Sequence, residues 1–195
     1  FAMTNMYTLT LHIEKPGTAY TDSKDATTSS TAGHVWMEAT NPAGETAQAG
    51  FAPIEPKETL LPVQGEVKKN DAAAYAGDSY YSETIQLTKA QYDAFMAFRE
   101  NPEQYGFSTT YWAGSNSCVD FVFKFLSVIG MNPTGTDGAL LPMDNVALFQ
   151  GLRNPQIAGG GWVSETTGSD TRIDNNGDGK IDNVVINGQG YDLHN

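Results

Sequence analysis

The chain has 195 residues, with 11 Lys plus Arg against 23 Asp plus Glu, a formal charge of −12 and a single cysteine. That excess of acid argues against a nucleic-acid partner, which needs a clustered basic surface, and one thiol excludes an intrachain disulfide or a Cys-x-x-Cys redox or zinc motif. The length suffices for one domain with a sizeable core, and no run reaches the ~18 to 20 apolar residues of a membrane span.

The opening FAMTNMYTLT has no basic region leading into an apolar one, so no cleavable secretory leader is expected. Tyr7, Leu9, Leu11 and Ile13 alternate with Thr8, Thr10 and His12, the period of a half-buried strand. Residues 16–33, rich in Thr, Ser, Gly and Asp, read as a loop. Residues 33–39 predict a strand, Asn41-Pro42-Ala43-Gly44 a turn, and residues 45–51 the second arm of a hairpin. After a Pro-rich stretch from Pro53 to Pro62, residues 64–86 are expected to be mostly extended or irregular, with Tyr80, Tyr81 and Ile85 as core contacts.

Two helices follow. Thr88 and Gln91 form a capping-box pattern ahead of Tyr92, Phe95, Met96 and Arg99 at helical spacing, ending before Asn101-Pro102. Ser117 and Asp120 form a second capping box, opening an apolar run to Ile129 that Gly130 closes, which predicts a buried central helix. A shorter helix is expected over residues 143–152, and from Gly159 onward the chain reads as a loop-rich tail. The division expected is a domain of residues 1–158 with residues 159–195 packed on it.

Cys118 stands in the first turn of that central helix, where unpaired backbone N–H groups and the positive end of the macrodipole favour a thiolate. A lone cysteine is more often a buried packing residue, and Asp120 partly opposes a thiolate while capping the helix. Of the 3 histidines, His12 falls on the polar side of a strand and His194 near the last residue. His34 follows Gly33 at a strand start, where a side chain can face a cleft. Strand histidine and helix-start cysteine together are the pairing that thiol hydrolases require.

GHVWMEAT, followed much later by SNSCVDFVFKFL, resembles the circularly permuted papain-like fold, that of NlpC-type cysteine peptidases and their lecithin:retinol acyltransferase relatives. In permuted members the histidine strand precedes the cysteine helix, and the cysteine lies in a motif like Asn-Cys-x-x-Phe-Val. Here Ser117 stands in the place of that Asn, Asn116 comes one position early, and Ala49-Gly50-Phe51-Ala52-Pro53 adds to the likeness. The resemblance spans roughly residues 30–130. It implies an α+β fold, an antiparallel sheet packed on the helix that carries Cys118, and nucleophilic attack by Cys118 on an amide carbonyl with His34 as base. It also implies an oxyanion hole at the Cys118 N–H, and a third polar residue on the strand after the histidine strand. Gln48 is the choice for that role and Glu38 the rival, while Tyr111 and Trp112 could line the substrate cleft or simply pack.

Asp174-Asn175-Asn176-Gly177-Asp178-Gly179-Lys180-Ile181-Asp182 fits D-x-[DN]-x-[DN]-G-x-x-D, a calcium-loop pattern with oxygens from Asp174, Asn176, Asp178, the Lys180 carbonyl and Asp182. The twelfth position is Val185, not the Glu of an EF-hand, so the alternative is an Asx-rich turn that binds nothing. A structural Ca2+ suits an extracytoplasmic compartment. Taken together, the features resemble a peptidoglycan-cleaving effector of the type VI secretion system, a toxin exported without a cleavable signal peptide to act in the periplasm of a target cell. That likeness implies a peptidoglycan or peptide substrate, a secretion apparatus and a cognate immunity protein as partners. Two other readings stay open: a permuted papain-like acyltransferase on lipid substrates, and a non-catalytic calcium-dependent binding module.

Overall fold

The computed structural model describes residues 6–55 and 61–194, so part of the Pro53 to Pro62 stretch lies outside the described residues. The chain is α+β, with one large antiparallel sheet and few helices. The strands of the sheet are β1 (Tyr7–Glu14), β4 (His34–Thr40), β5 (Thr46–Pro53), β6 (Val63–Lys68), β7 (Tyr81–Leu87), β8 (Thr110–Tyr111), β9 (Trp162–Thr167), β10 (Asp170–Ile173), β11 (Asn183–Ile186) and β12 (Gln189–Asp192). Among the described residues these ten run in the order β12-β11-β10-β9-β7-β1-β4-β5-β6-β8. The stretch read as a loop between β1 and β4 folds into a separate two-stranded hairpin, β2 (Ala19–Thr21) with β3 (Thr27–Ser29).

The one-turn helix α1 (Asp71–Ala74) follows β6, α2 (Lys89–Glu100) follows β7, α3 (Cys118–Val128) follows β8, and α4 (Val146–Gln150) follows a 3₁₀ turn at Pro142–Asn145. Both predicted capping boxes are formed: Thr88 with Gln91 opens α2, and Ser117 with Asp120 opens α3. Period-two alternation sends Leu9, Leu11 and Ile13 of β1 into the core with Val35, Met37 and Ala39 of β4. Phe95 and Phe98 of α2 and Phe121, Val122, Phe125 and Leu126 of α3 close over them. Phe121 is the hub of this layer, with ring centroids 4.8 Å from Phe98, 5.1 Å from Phe107 and 5.7 Å from Phe51. No helix among the described residues is long and apolar enough to cross a membrane.

The tail departs from the loop-rich expectation. β9 pairs with β7, and two hairpins carry the sheet outward to β12. The second hairpin turns on Asn187-Gly188, both at positive φ (50° and 78°), the dipeptide that matches a tight turn to strand twist.

The junction of β7 with β9 sets Glu83 directly opposite Glu165, with exposures of 0% and 9%. Burial pushes Glu83 up to about 8, the Tyr81 hydroxyl that donates to it pulls the other way, and the Glu165 charge adds to the rise. Its folded value lies above the unfolded one near 4.5. Its contribution to stability is therefore complete below that value and is lost as pH rises through about 8. Glu83→Gln, which cannot ionise, should raise the melting temperature at alkaline pH by at least ~2 °C and leave it nearly unchanged in acid. Thermal melts across pH check this, and a parallel shift at all pH values would contradict it.

Candidate active site

Cys118 is the first residue of α3 and only 5% exposed. The approach to it is fixed by Asn116, whose side-chain amide donates to the carbonyls of Ser108 and Thr110 at 2.8 and 2.6 Å. Asp120 takes its capping role, accepting from the Ser117 N–H and hydroxyl at 2.7 Å each. Ser117 in turn accepts from the Val119 N–H at 3.2 Å. The Cys118 N–H, at the same helix end, is among those that helix geometry leaves without an intrahelical carbonyl.

His34 opens β4. Gly33 precedes it at φ +87°, and a Cβ there would sit 2.3 Å from the Glu14 carbonyl oxygen, so the chain can enter β4 at this point only without a side chain. The imidazole is buried. Its Nε2 donates to Asp71 Oδ1 at 3.0 Å, and Cys118 lines the same cleft near enough to act on its charge. With Nε2 committed to the carboxylate, Nδ1 is the nitrogen left for the thiol. Tyr75 stacks on the imidazole at 5.4 Å and Tyr20 stacks on Tyr75 at 5.3 Å, closing the outer side of the ring.

Burial alone would lower the His34 imidazole, but the Asp71 charge and hydrogen bond, with the Cys118 contact, outweigh it and push the group up to about 10. His12, on the next strand, shows what happens without such a partner: burial holds it down at about 4, against the weaker pull of Asp71. It lies stacked on Trp36 with centroids 3.8 Å apart and shares a hydrogen bond with Ser79 at 3.0 Å.

The side chain that bonds His34 is Asp71, where the expectation named Gln48 with Glu38 as rival. Neither Gln48 nor Glu38 is a hydrogen-bond partner of His34; they bond one another, Gln48 Nε2 donating to Glu38 Oε2 at 3.1 Å. The expectation placed the orienting group on the strand after the histidine strand. What β5 supplies there is the absence of a side chain, because a Cβ on Gly50 would lie 2.5 Å from Asp71 Oδ2 and 2.8 Å from His34 Nε2. The carboxylate that bonds His34 arrives later in the chain, on α1. Its signal was present as Asn70-Asp71-Ala72-Ala73-Ala74, an Asx pair ahead of an alanine run, in a segment read as extended or irregular.

Cys118, His34 and Asp71 line a cleft of about 710 Å³ together with Phe51, Pro53, Tyr75 and Tyr111. Trp112 does not line the cleft; its ring lies against Gly114.

The residues of the calcium-loop pattern are elsewhere, between β10 and β11. Asp174 is buried and accepts backbone N–H groups from Asn176, Gly177, Asp178 and Gly179. Asn176 and Asp178 each accept from the N–H two residues on, at 2.9 Å, and Asp182 accepts from Asn175 N–H and pairs with His194, both at 2.7 Å. The loop is closed by its own hydrogen bonds. Among the described residues no group of three or more His, Cys, Asp or Glu side chains is disposed to hold a metal ion.

Comparison of the chain with protein-family models, with curated proteins and with solved structures finds no match.

The electrostatics of the site predict a strong dependence on Asp71. An imidazolium at His34 is the counter-ion that a reactive thiolate needs, and its persistence rests on the buried carboxylate. Asp71→Asn should slow alkylation of Cys118 by iodoacetamide at about pH 6 by ~10-fold or more, with near-UV circular dichroism unchanged. An unaltered rate would show that Asp71 does not hold the charge on His34.

Proposed function

We propose that the chain is a cysteine hydrolase that cleaves an amide bond, with Cys118 as nucleophile, His34 as general acid and base, and Asp71 as the group that orients His34. The observation that carries the reading is a buried imidazole bonded to a buried carboxylate in a cleft that a helix-start thiol also lines. The Cys118 sulfur attacks the carbonyl carbon, forming a C–S bond as the carbonyl oxygen takes up negative charge beside the Cys118 N–H. His34 delivers its proton to the amine as the C–N bond breaks. It then takes a proton from water, the hydroxide attacks the thioester, and the C–S bond breaks to release the acid and restore the Cys118 thiolate beside a protonated His34.

The resemblance to permuted papain-like, NlpC-type enzymes supports a peptide or peptidoglycan substrate. It also extends the proposal to a type VI secretion effector acting in the periplasm of a target cell, with a cognate immunity protein in the producer. On purified cell-wall fragments, Cys118→Ala and His34→Ala should each lower hydrolysis by ~10³-fold or more without loss of fold. Wild-type-like turnover by either variant would remove the mechanism.

A structural calcium ion in the Asp174 to Asp182 loop is a second proposal, resting on the residue pattern alone: hard oxygens from Asp174, Asn176, Asp178 and Asp182 with the Lys180 carbonyl. An ion bound only by the folded chain raises stability by mass action. Calcium at about 1 mM should raise the melting temperature, a chelator should reverse the rise, and Asp178→Ala should abolish it. A melting temperature indifferent to calcium would leave the loop as a self-closed Asx turn.

A further inference from the structure

We infer that Gln48 is a positioning residue for the reaction, acting on His34 through Asp71; the inference rests on the cysteine-hydrolase reading above. Asp71 is the first residue of a four-residue helix, too short to hold itself together in water. Asn70, at the N-cap, makes no side-chain capping bond. The cap comes instead from the sheet: Gln48 Oε1 accepts the Ala72 N–H at 3.0 Å. This takes up one of the helix-end donors that would otherwise lack a partner.

The glutamine is itself fixed at both ends. Its side-chain amide donates to Glu38 Oε2 at 3.1 Å across the β4–β5 pair, and its backbone carbonyl accepts from Arg99 Nε of α2 at 2.6 Å. Gln48 therefore ties α1 to the strand that carries His34 and to the helix that packs on the sheet. A shift of α1 would move Asp71 from a place already bounded by His34 Nε2 and by the Cα of Gly50, where no side chain offers a second stop. The amide suits this work because it accepts from α1 and donates to Glu38 with one group, which a carboxylate, an acceptor only, cannot do.

The test reads Cys118 alkylation by iodoacetamide across pH, together with thermal melting. Gln48→Ala should lower the rate at about pH 6 by ~3- to 10-fold and leave the rate in alkali close to wild type; Gln48→Met, which keeps the bulk, should do the same. Because Gln48 acts through Asp71, adding Gln48→Ala to Asp71→Asn should change the rate by less than ~2-fold. Glu38→Gln combined with Gln48→Glu restores a donor and an acceptor in exchanged places, and should recover most of the lost rate. An alkylation profile like wild type in both Gln48 variants, or an equal loss with and without Asp71→Asn, would overturn the inference while leaving the catalytic reading in place. A wild-type thiol no faster at about pH 6 than a free one would overturn both.

Discussion

The site depends on one buried contact, the hydrogen bond from His34 Nε2 to the Asp71 carboxylate at 3.0 Å. A carboxylate taken out of water is costly unless something charged and hydrogen-bonded faces it. With side-chain exposures of only 7% and 4%, this pair has little solvent to share the work. The arrangement favours a proton on both imidazole nitrogens, and that puts a positive charge beside Cys118. One interaction thus fixes the tautomer, the orientation and the charge of the group that would serve the thiol.

The rest of the fold can be understood as holding that contact in place. Antiparallel pairing carries β1, β4 and β5 side by side in one register, so that Gly33 and Gly50 open space where the chain crosses and where the pair meets. The aromatic layer around Phe121 fixes α3 against β4 and β5, and with it the position of its first residue. The hairpin of β2 and β3 brings Tyr20 over Tyr75, which covers the imidazole. Rigid elements supply the thiol and the imidazole. The carboxylate alone stands on a single turn of helix, which is why its support from Gln48 matters.

Local signals in the sequence were enough for much of this. The capping boxes at Thr88 and Ser117 marked both long helices because a side chain three residues from its partner completes a cap without help from the fold. The thiol and imidazole were legible for the same kind of reason, each standing at the start of an element whose boundary is written nearby. Asp71 was not legible as their partner, since its meeting with His34 depends on β6 returning the chain across the sheet and on an empty position at Gly50. The resemblance points to the strand that follows the histidine strand, and there Gln48 bonds the first turn of α1 and not the imidazole. The tail forms strands despite its many Gly, Asn and Asp, because Asn187-Gly188 between Val184, Val185, Ile186 and Gln189 is a strong hairpin signal.

The most direct measurement is the protonation of His34, followed by nitrogen-15 NMR of the 3 labelled imidazoles, with His34→Gln to assign its signal. The account predicts that both nitrogens of His34 stay protonated through neutral pH and release a proton only near 10, while His12 is already neutral well below its ordinary value. An ordinary titration of His34 near 6.5, indifferent to Asp71→Asn, would contradict it.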